Sequence, residues 1–386
     1  MFPEPDGVSL GDSFTLQRQA PLNLRFEHRP HRHAIRAALG GTETLAAVAL
    51  ALGLANEWLS YSRSARHYDM PQRYRNHLYT WRRITGAMDQ LDGIGLIDHD
   101  RRAPGQRGWQ SAARAKPGLR EFITDITMCA PLVPTRPPET IVLRDALKMP
   151  ADYRDTRATY RMRKTLGAIN EGIGGAGLPP AINAPVVRIF NRDFGRGGRL
   201  YARGGAWQVL SKEARGRLQI DGEPLVEVDF RCLHPALLYA ESGAPIPADA
   251  YNLPPWPRQL VKRALLVLIN APSRWKARSA IAHCEAMAAV TLLGTPEAER
   301  EAGRLIDAIT TLHRPITHAF GTDAGAHLMR LDSDIAEAVL LDMLARGVVV
   351  LPVHDSFLAP ASKRNQLEQA MTDAAERIAD TRLAVA

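Results

Sequence analysis

Apolar positions recur with a helical period in two early segments. From His33 to Leu59 the chain is rich in Ala and Leu, and a helix is predicted there, ending near Ser60. Leu78, Trp81, Ile84, Met88 and Leu91 are spaced by three and four, which predicts a second helix over 74–91. Gly95 is placed to stop it, and Leu96-Ile97 opens a short strand. Residues 101–108 form a basic turn with Pro104, Gly105 and Gly108, and Trp109–Ser111 is the return strand. A basic helix is predicted over 153–173, with Leu166 and Ile169 on its apolar stripe and a Gly/Pro turn after it. Asp193–Tyr201 is a Gly/Arg loop leading into an extended stretch. Leu225–Phe230 alternates like a strand and carries Asp229 near its end, and a helix begins near His234. Further helices are predicted over 258–271 and 328–346. The apolar strand Val348–Val353 then runs into His354-Asp355 and a second strand.

Composition narrows the class. With 386 residues, 45% of them hydrophobic, the chain is long enough for two to three domains with sizeable cores. Three cysteines without a CxxC pair exclude a disulfide scaffold and a Cys-type zinc site. The longest apolar run, Leu45–Ala55, is too short to span a bilayer, and no signal peptide is apparent. The expectation is a cytoplasmic protein with no membrane partner. Lys and Arg outnumber Asp and Glu by 49 to 41, a formal charge of +8. Positive charge is concentrated in 61–125 and 151–217, and the second segment carries 13 basic against 5 acidic residues. Such segregation suits a polyanion, because each phosphate contact needs a local cation.

The order helix, short strand, basic hairpin, strand resembles a winged helix-turn-helix. The resemblance implies that the helix bearing Arg82 and Arg83 reads a DNA groove, with Arg101, Arg102 and Arg107 on the wing. The first 25 or so residues read as a loose arm, and residues 130–138 as a Pro-rich connector. The expected partition is a DNA-binding domain over 1–130, a linker over 131–150 and a catalytic domain over 151–386.

Two carboxylates, Asp229 and Asp355, stand at strand ends, and between them in sequence a helix presents Arg258 and Lys262 four residues apart on one face. Hard divalent cations take one or two protein carboxylates plus substrate phosphates. Two such ions bridged by paired aspartates clamp the attacking and leaving oxygens of a phosphoryl transfer. Cations on one helix face suit a triphosphate.

In order and spacing these blocks resemble the palm and fingers motifs of family A DNA polymerases and the single-subunit, phage-type RNA polymerases, over roughly residues 185–386. Asp229–His234 falls on the first metal motif, Arg258-x3-Lys262-x7-Asn270-Ala271 on the fingers helix, and Val353–Phe357 on the second metal motif. Asp193–Tyr201 is similar to the template-contact loop, and Asp249–Tyr251 to the segment before the fingers helix. The implied fold class is α+β: a polymerase palm, an antiparallel sheet with helices, and helical fingers, preceded by the winged-helix-like domain. The implied metal ligands are Asp229, Asp355 and the Phe230 carbonyl, holding two Mg2+ ions, with Mn2+ as a substitute. Arg258 and Lys262 would hold the triphosphate, Lys262 protonating the pyrophosphate, and His354 would lie near the primer terminus. Asn270, His234 and Tyr251 would contact the nucleotide, and Arg161, Arg196 and Arg199 the nucleic acid. The implied partners are a DNA template, a primer and nucleoside triphosphates, with the chain acting as a monomer.

Three departures keep alternatives open. The family's fingers Tyr-Gly is Asn270-Ala271, and His234 stands where the DNA polymerases carry a sugar-discriminating Glu. The spacing Asp-x4-His follows the DNA polymerases, whereas His-Asp-Ser-Phe follows the RNA polymerases. DNA synthesis for a plasmid or phage is the first expectation, and RNA synthesis or priming the second. The third is a DNA-binding initiator or regulator with an inactive polymerase fold.

Overall fold

The computed structural model describes residues 21–385 apart from Arg25, Asn56, 103–109, Pro138, Pro180 and Ala181. Arg107 and Trp109 lie outside the described residues. The fold is α+β, as expected. Among the described residues no single helix is long and apolar enough to cross a membrane. The chain forms two compact units and passes between them several times. The first holds residues 1–142, 150–187 and 201–222, and the second 143–149, 188–200 and 223–386.

In the first unit the helix expected over 33–59 is two helices, Arg32–Leu39 and Glu43–Leu54. Gly40 and Gly41, at φ of +67° and +81°, break it, and the Thr42 hydroxyl caps the second piece by accepting from the Leu45 N–H at 3.2 Å. Glu43–Leu54 is apolar nearly all round and correspondingly buried, with Leu45, Val48 and Leu52 fully inside. Helix Pro117–Cys129 crosses it at Gly53, where a Cβ would stand 2.4 Å from the Ile123 side chain. The described end of the supposed loose arm is not loose: Leu22, Leu24 and Phe26 join this core.

The helix expected over 74–91 begins only at Trp81 and runs to Gly93. Local side-chain capture delays it. Asn76 Oδ1 accepts from the Leu78 N–H at 2.9 Å, and the Leu78 carbonyl accepts from the buried Thr44 hydroxyl at 3.2 Å. Strands Leu59–Tyr61, Ser111–Ala115 and Ile97–Asp100 form an antiparallel sheet with Ser111–Ala115 in the centre, Ala113 pairing with Leu59 on one side and His99 on the other. The basic helix spans Arg157–Gly175 behind a Thr156/Thr159 capping box.

In the second unit strand Ser356–Pro360 lies between Leu351–Val353 and Glu223–Asp229, antiparallel to both. Helices Leu233–Glu241, Arg258–Asn270, Ala324–Ala345 and Arg364–Ala379 build the core around it. The strand expected from Val348 starts three residues later. The Val348 N–H is held by the Met343 carbonyl at 2.9 Å, closing the preceding helix over Gly347 at φ +73°. The expected Gly/Arg loop is strand along its whole length, Asp193–Ala202, turned from Val186–Asn191 at Arg192. Gly198 allows that strand to lie close, since a Cβ there would stand 2.8 Å from both Phe190 and Ser333.

Candidate active site

Asp355 is the second residue of a two-residue turn, because Val353 pairs directly with Ser356. The first turn residue, His354, has φ +59°, a left-handed conformation that costs a side-chain-bearing residue energy and recurs at functional sites. Ser356 in turn pairs with Asp229, and the Phe230 N–H faces the Asp355 carbonyl at 3.4 Å. The two carboxylates expected from sequence are therefore brought together by adjacent strands. Glu227, which the sequence reading missed, belongs with them and accepts from the Ser356 hydroxyl at 2.8 Å.

This crowding has an electrostatic signature. Partial desolvation pushes the Asp229 carboxyl up to about 6, the charges of Asp355 and Glu227 add to it, and the Lys262 ammonium opposes it. An acid raised in the folded state contributes stability when protonated, and that contribution is lost as pH rises from the unfolded value of 3.8 through about 6. Asp229→Asn should therefore stabilise the metal-free protein at pH 8. Solvent exposure of Asp229 screens the effect to about 1 kcal/mol. The gain should vanish as pH approaches 4, which urea unfolding at the two pH values measures.

Lys262, Asp229, Asp355, His354 and His234 share a cavity of about 390 Å³. Lys262 projects from helix Arg258–Asn270, its Nζ 5.9 Å from the centre of the Tyr251 ring, and Arg258 lies 5.0 Å from the same ring. Tyr251 is 6% exposed and lines the cavity beside Cys232, the residue that precedes helix Leu233–Glu241. Arg258 is exposed and pairs with Asp249 at 3.2 Å. Asn270 closes its helix by donating to the Leu266 carbonyl at 2.8 Å. Its Oδ1 fits against Gly325, where a Cβ would come to 1.9 Å.

Arg199 also lines the cavity. Its Nε donates to Asp332 at 2.8 Å, and its Nη2 lies 3.3 Å from His234 Nε2. A guanidinium only donates, so His234 Nε2 is the acceptor in this network. Asp332, 3% exposed, escaped the sequence reading. Its signal was an acid at position 332 on the period of Leu328, Ile335 and Val339, a stripe that is otherwise apolar. Arg196 pairs instead with Asp323 at 3.3 Å and does not line the cavity.

Among the described residues no cluster of three His, Cys, Asp or Glu side chains forms a closed metal cage. Two mutually repelling carboxylates beside the Phe230 backbone fit a hard divalent ion that completes its shell with water and phosphate oxygens. The proton affinity of Asp229 is the sign of that fit: a cation there would replace the proton.

On the first unit, Arg82 and Arg83 are exposed on helix Trp81–Gly93, the latter bonded to the His77 carbonyl. Arg161 is exposed on helix Arg157–Gly175. Arg101 is half exposed, 3.7 Å from Asp89. Arg102 differs: its side chain is 8% exposed and paired with Asp100, so its charge is taken up locally.

No protein-family model matches the chain, and no curated protein matches its sequence. Among solved structures it is similar to the POL domain of Pol1 from M. smegmatis in complex with DNA primer-template and dNTP. The identity is 12% and the TM-score 0.36. The match covers 98% of this chain and 65% of that one, so the chain spans less than two thirds of that domain's length.

Proposed function

We propose that the chain is a template-directed nucleotidyltransferase that extends a primer 3′-hydroxyl, most simply a compact DNA polymerase of a mobile element. The observation that carries this reading is the pairing of Asp229 with Asp355 across adjacent strands, with Lys262 opening into the same cavity. Asp229, Asp355 and the Phe230 carbonyl would hold two Mg2+ ions. When bound, these supply a Lewis acid for the α-phosphate and a clamp on the attacking and leaving oxygens. Arg258 and Lys262 bind the triphosphate from one helix face. Lys262 gives a proton to the departing pyrophosphate, and Tyr251 keeps both cations over its ring. Asp332 fixes Arg199, which fixes the His234 ring, so the wall facing the sugar is held by side chains locked to one another.

The test offers a primed DNA template and Mg2+ with separate dNTP and rNTP pools. Extension from dNTPs supports the DNA polymerase reading, and extension from rNTPs alone supports an RNA polymerase or primase. Absence of both sinks the enzyme reading and leaves a DNA-binding initiator, which the Asn270-Ala271 substitution motivates.

The first unit's strand–helix–hairpin order supports a winged-helix role in DNA binding, with Arg82 and Arg83 on the reading helix. Arg82→Ala together with Arg83→Ala should weaken duplex binding about tenfold or more at low salt. It should also flatten the slope of log K against log salt by about 2. An unchanged slope in a fluorescence titration would remove the assignment.

A further inference from the structure

Arginine stays charged at any working pH, so a guanidinium drawn out of water calls for an anion. In the first unit Arg203 is partly buried, and among the described residues no carboxylate pairs with it. Burial pulls it below the usual arginine range, with only the phenol of Tyr79 acting against this. Arg203 lines a cavity of about 200 Å³ formed within the first unit, together with Tyr68, Tyr79, Arg75, Asn76 and Leu22.

The walls divide by chemistry. The rings of Tyr68 and Tyr79 stand 5.3 Å apart at 42°, making a tilted aromatic wall. The Tyr68 hydroxyl is engaged, donating to the Ser62 carbonyl at 2.7 Å, whereas the Tyr79 hydroxyl has no partner among the described residues. Arg75 anchors its Nε on the Met70 carbonyl at 2.8 Å and, among the described residues, pairs with no carboxylate, which puts a second positive charge at the cavity. Two cations without counter-ions among the described residues, beside two aromatic faces, match a phosphate joined to a flat ring. Guanidinium meets phosphate as a fork, and Tyr faces stack on bases without regard to sequence. The volume lies below the ~300–1,000 Å³ of a drug-sized pocket, so the cavity encloses no more than part of one nucleotide, the rest of which stays in solvent.

We infer that this cavity is a second nucleotide site, which takes one 5′-phosphorylated nucleoside, with the phosphate on Arg203 and Arg75 and the base against Tyr68 and Tyr79. The unit can be free or can be the 5′-phosphorylated end of a strand; the chemistry is shared.

Calorimetry on the full chain tests this with adenosine 5′-monophosphate, inorganic phosphate, and a short oligonucleotide with or without a 5′-phosphate. Arg203→Gln should weaken monophosphate binding about 10- to 100-fold, the loss of charge-assisted bonds, with Arg203→Lys between it and wild type. Tyr79→Leu should weaken the nucleotide about 5- to 100-fold while sparing inorganic phosphate. Melting curves of each variant check that it folds. Preference for the phosphorylated oligonucleotide identifies a strand end, and binding of the monophosphate alone identifies a free nucleotide. Binding should survive in Lys262→Ala, which separates this site from the proposed polymerase cavity. The inference is overturned if neither phosphorylated probe binds wild type, if folded Arg203→Gln binds undiminished, or if Lys262→Ala abolishes binding.

Discussion

Asp355→Asn is expected to lower single-turnover primer extension by a factor on the order of 10³, about 4 kcal/mol of barrier, and Asp229→Asn by a similar factor. Asn keeps the shape of the turn and the strand end but removes the charge on which a divalent ion depends. Because the two carboxylates act as one unit, the double variant should be scarcely slower than either single one. Thermal melting separates this loss from misfolding: Asp229→Asn should be inactive yet at least as stable as wild type, since it removes the like-charge crowding with Asp355 and Glu227. Mg2+ should raise the melting temperature of wild type and leave both variants unmoved, as a ligand stabilises only the state that binds it. Retained extension in either variant would place the reaction somewhere else.

The largest stability effect is expected at Arg188. Its side chain is 1% exposed and reaches four groups: the Gly198 carbonyl at 2.9 Å, Ser333 at 2.9 Å, Asp334 at 2.6 Å, and Glu337. It thereby ties the strand hairpin that carries Arg199 to helix Ala324–Ala345, which carries Asp332. Truncating one member of a buried ion cluster leaves uncompensated charge, so Arg188→Ala should cost about 3–5 kcal/mol in urea unfolding at pH 8. Burial already raises the Glu337 carboxyl, and Arg188 opposes that rise. Without Arg188 the carboxyl takes up a proton more readily in the folded state, and stability is lost as pH rises through the new value. The penalty should therefore shrink at pH 5, and Glu337→Gln in the Arg188→Ala background should recover part of it at pH 8. A penalty independent of pH would contradict this account.

How much of this was legible in the sequence differs from element to element, for physical reasons. Helix Arg258–Asn270 was legible to within a residue because its apolar stripe is continuous and Pro257 and Ala271 bound it. The two aspartates were legible because each stands at the end of an alternating or apolar run. Periodicity could not register hydrogen bonds made outside the helical and strand repeat. The Thr44 hydroxyl on the Leu78 carbonyl and the Met343 carbonyl on the Val348 N–H each moved a boundary, and both bonds join residues that the period does not relate. Gly40-Gly41 was visible as a pair, and the strong Ala/Leu run on both sides masked its effect. In the site, Asp332 and Glu227 went unseen because their roles depend on Arg199 and Ser356, which come near only after folding. Arg102 misled in the opposite sense, since a basic turn gives no sign that one of its charges folds back on Asp100.

The Ser356–Asp229 pairing has a consequence for how this chain can vary. The spacing of the aspartates is measured by one rung of a ladder and a two-residue turn, so it is independent of the length of everything between residues 231 and 350. Loops within that excursion can change length without altering the separation of the carboxylates, whereas its helices are bound to the site through His234, Lys262 and Asp332. A single residue inserted into either strand would instead turn a carboxylate to the opposite face of the sheet. Variation in length is therefore free to accumulate in the loops of the excursion, while the rung stays fixed as the gauge of the two aspartates.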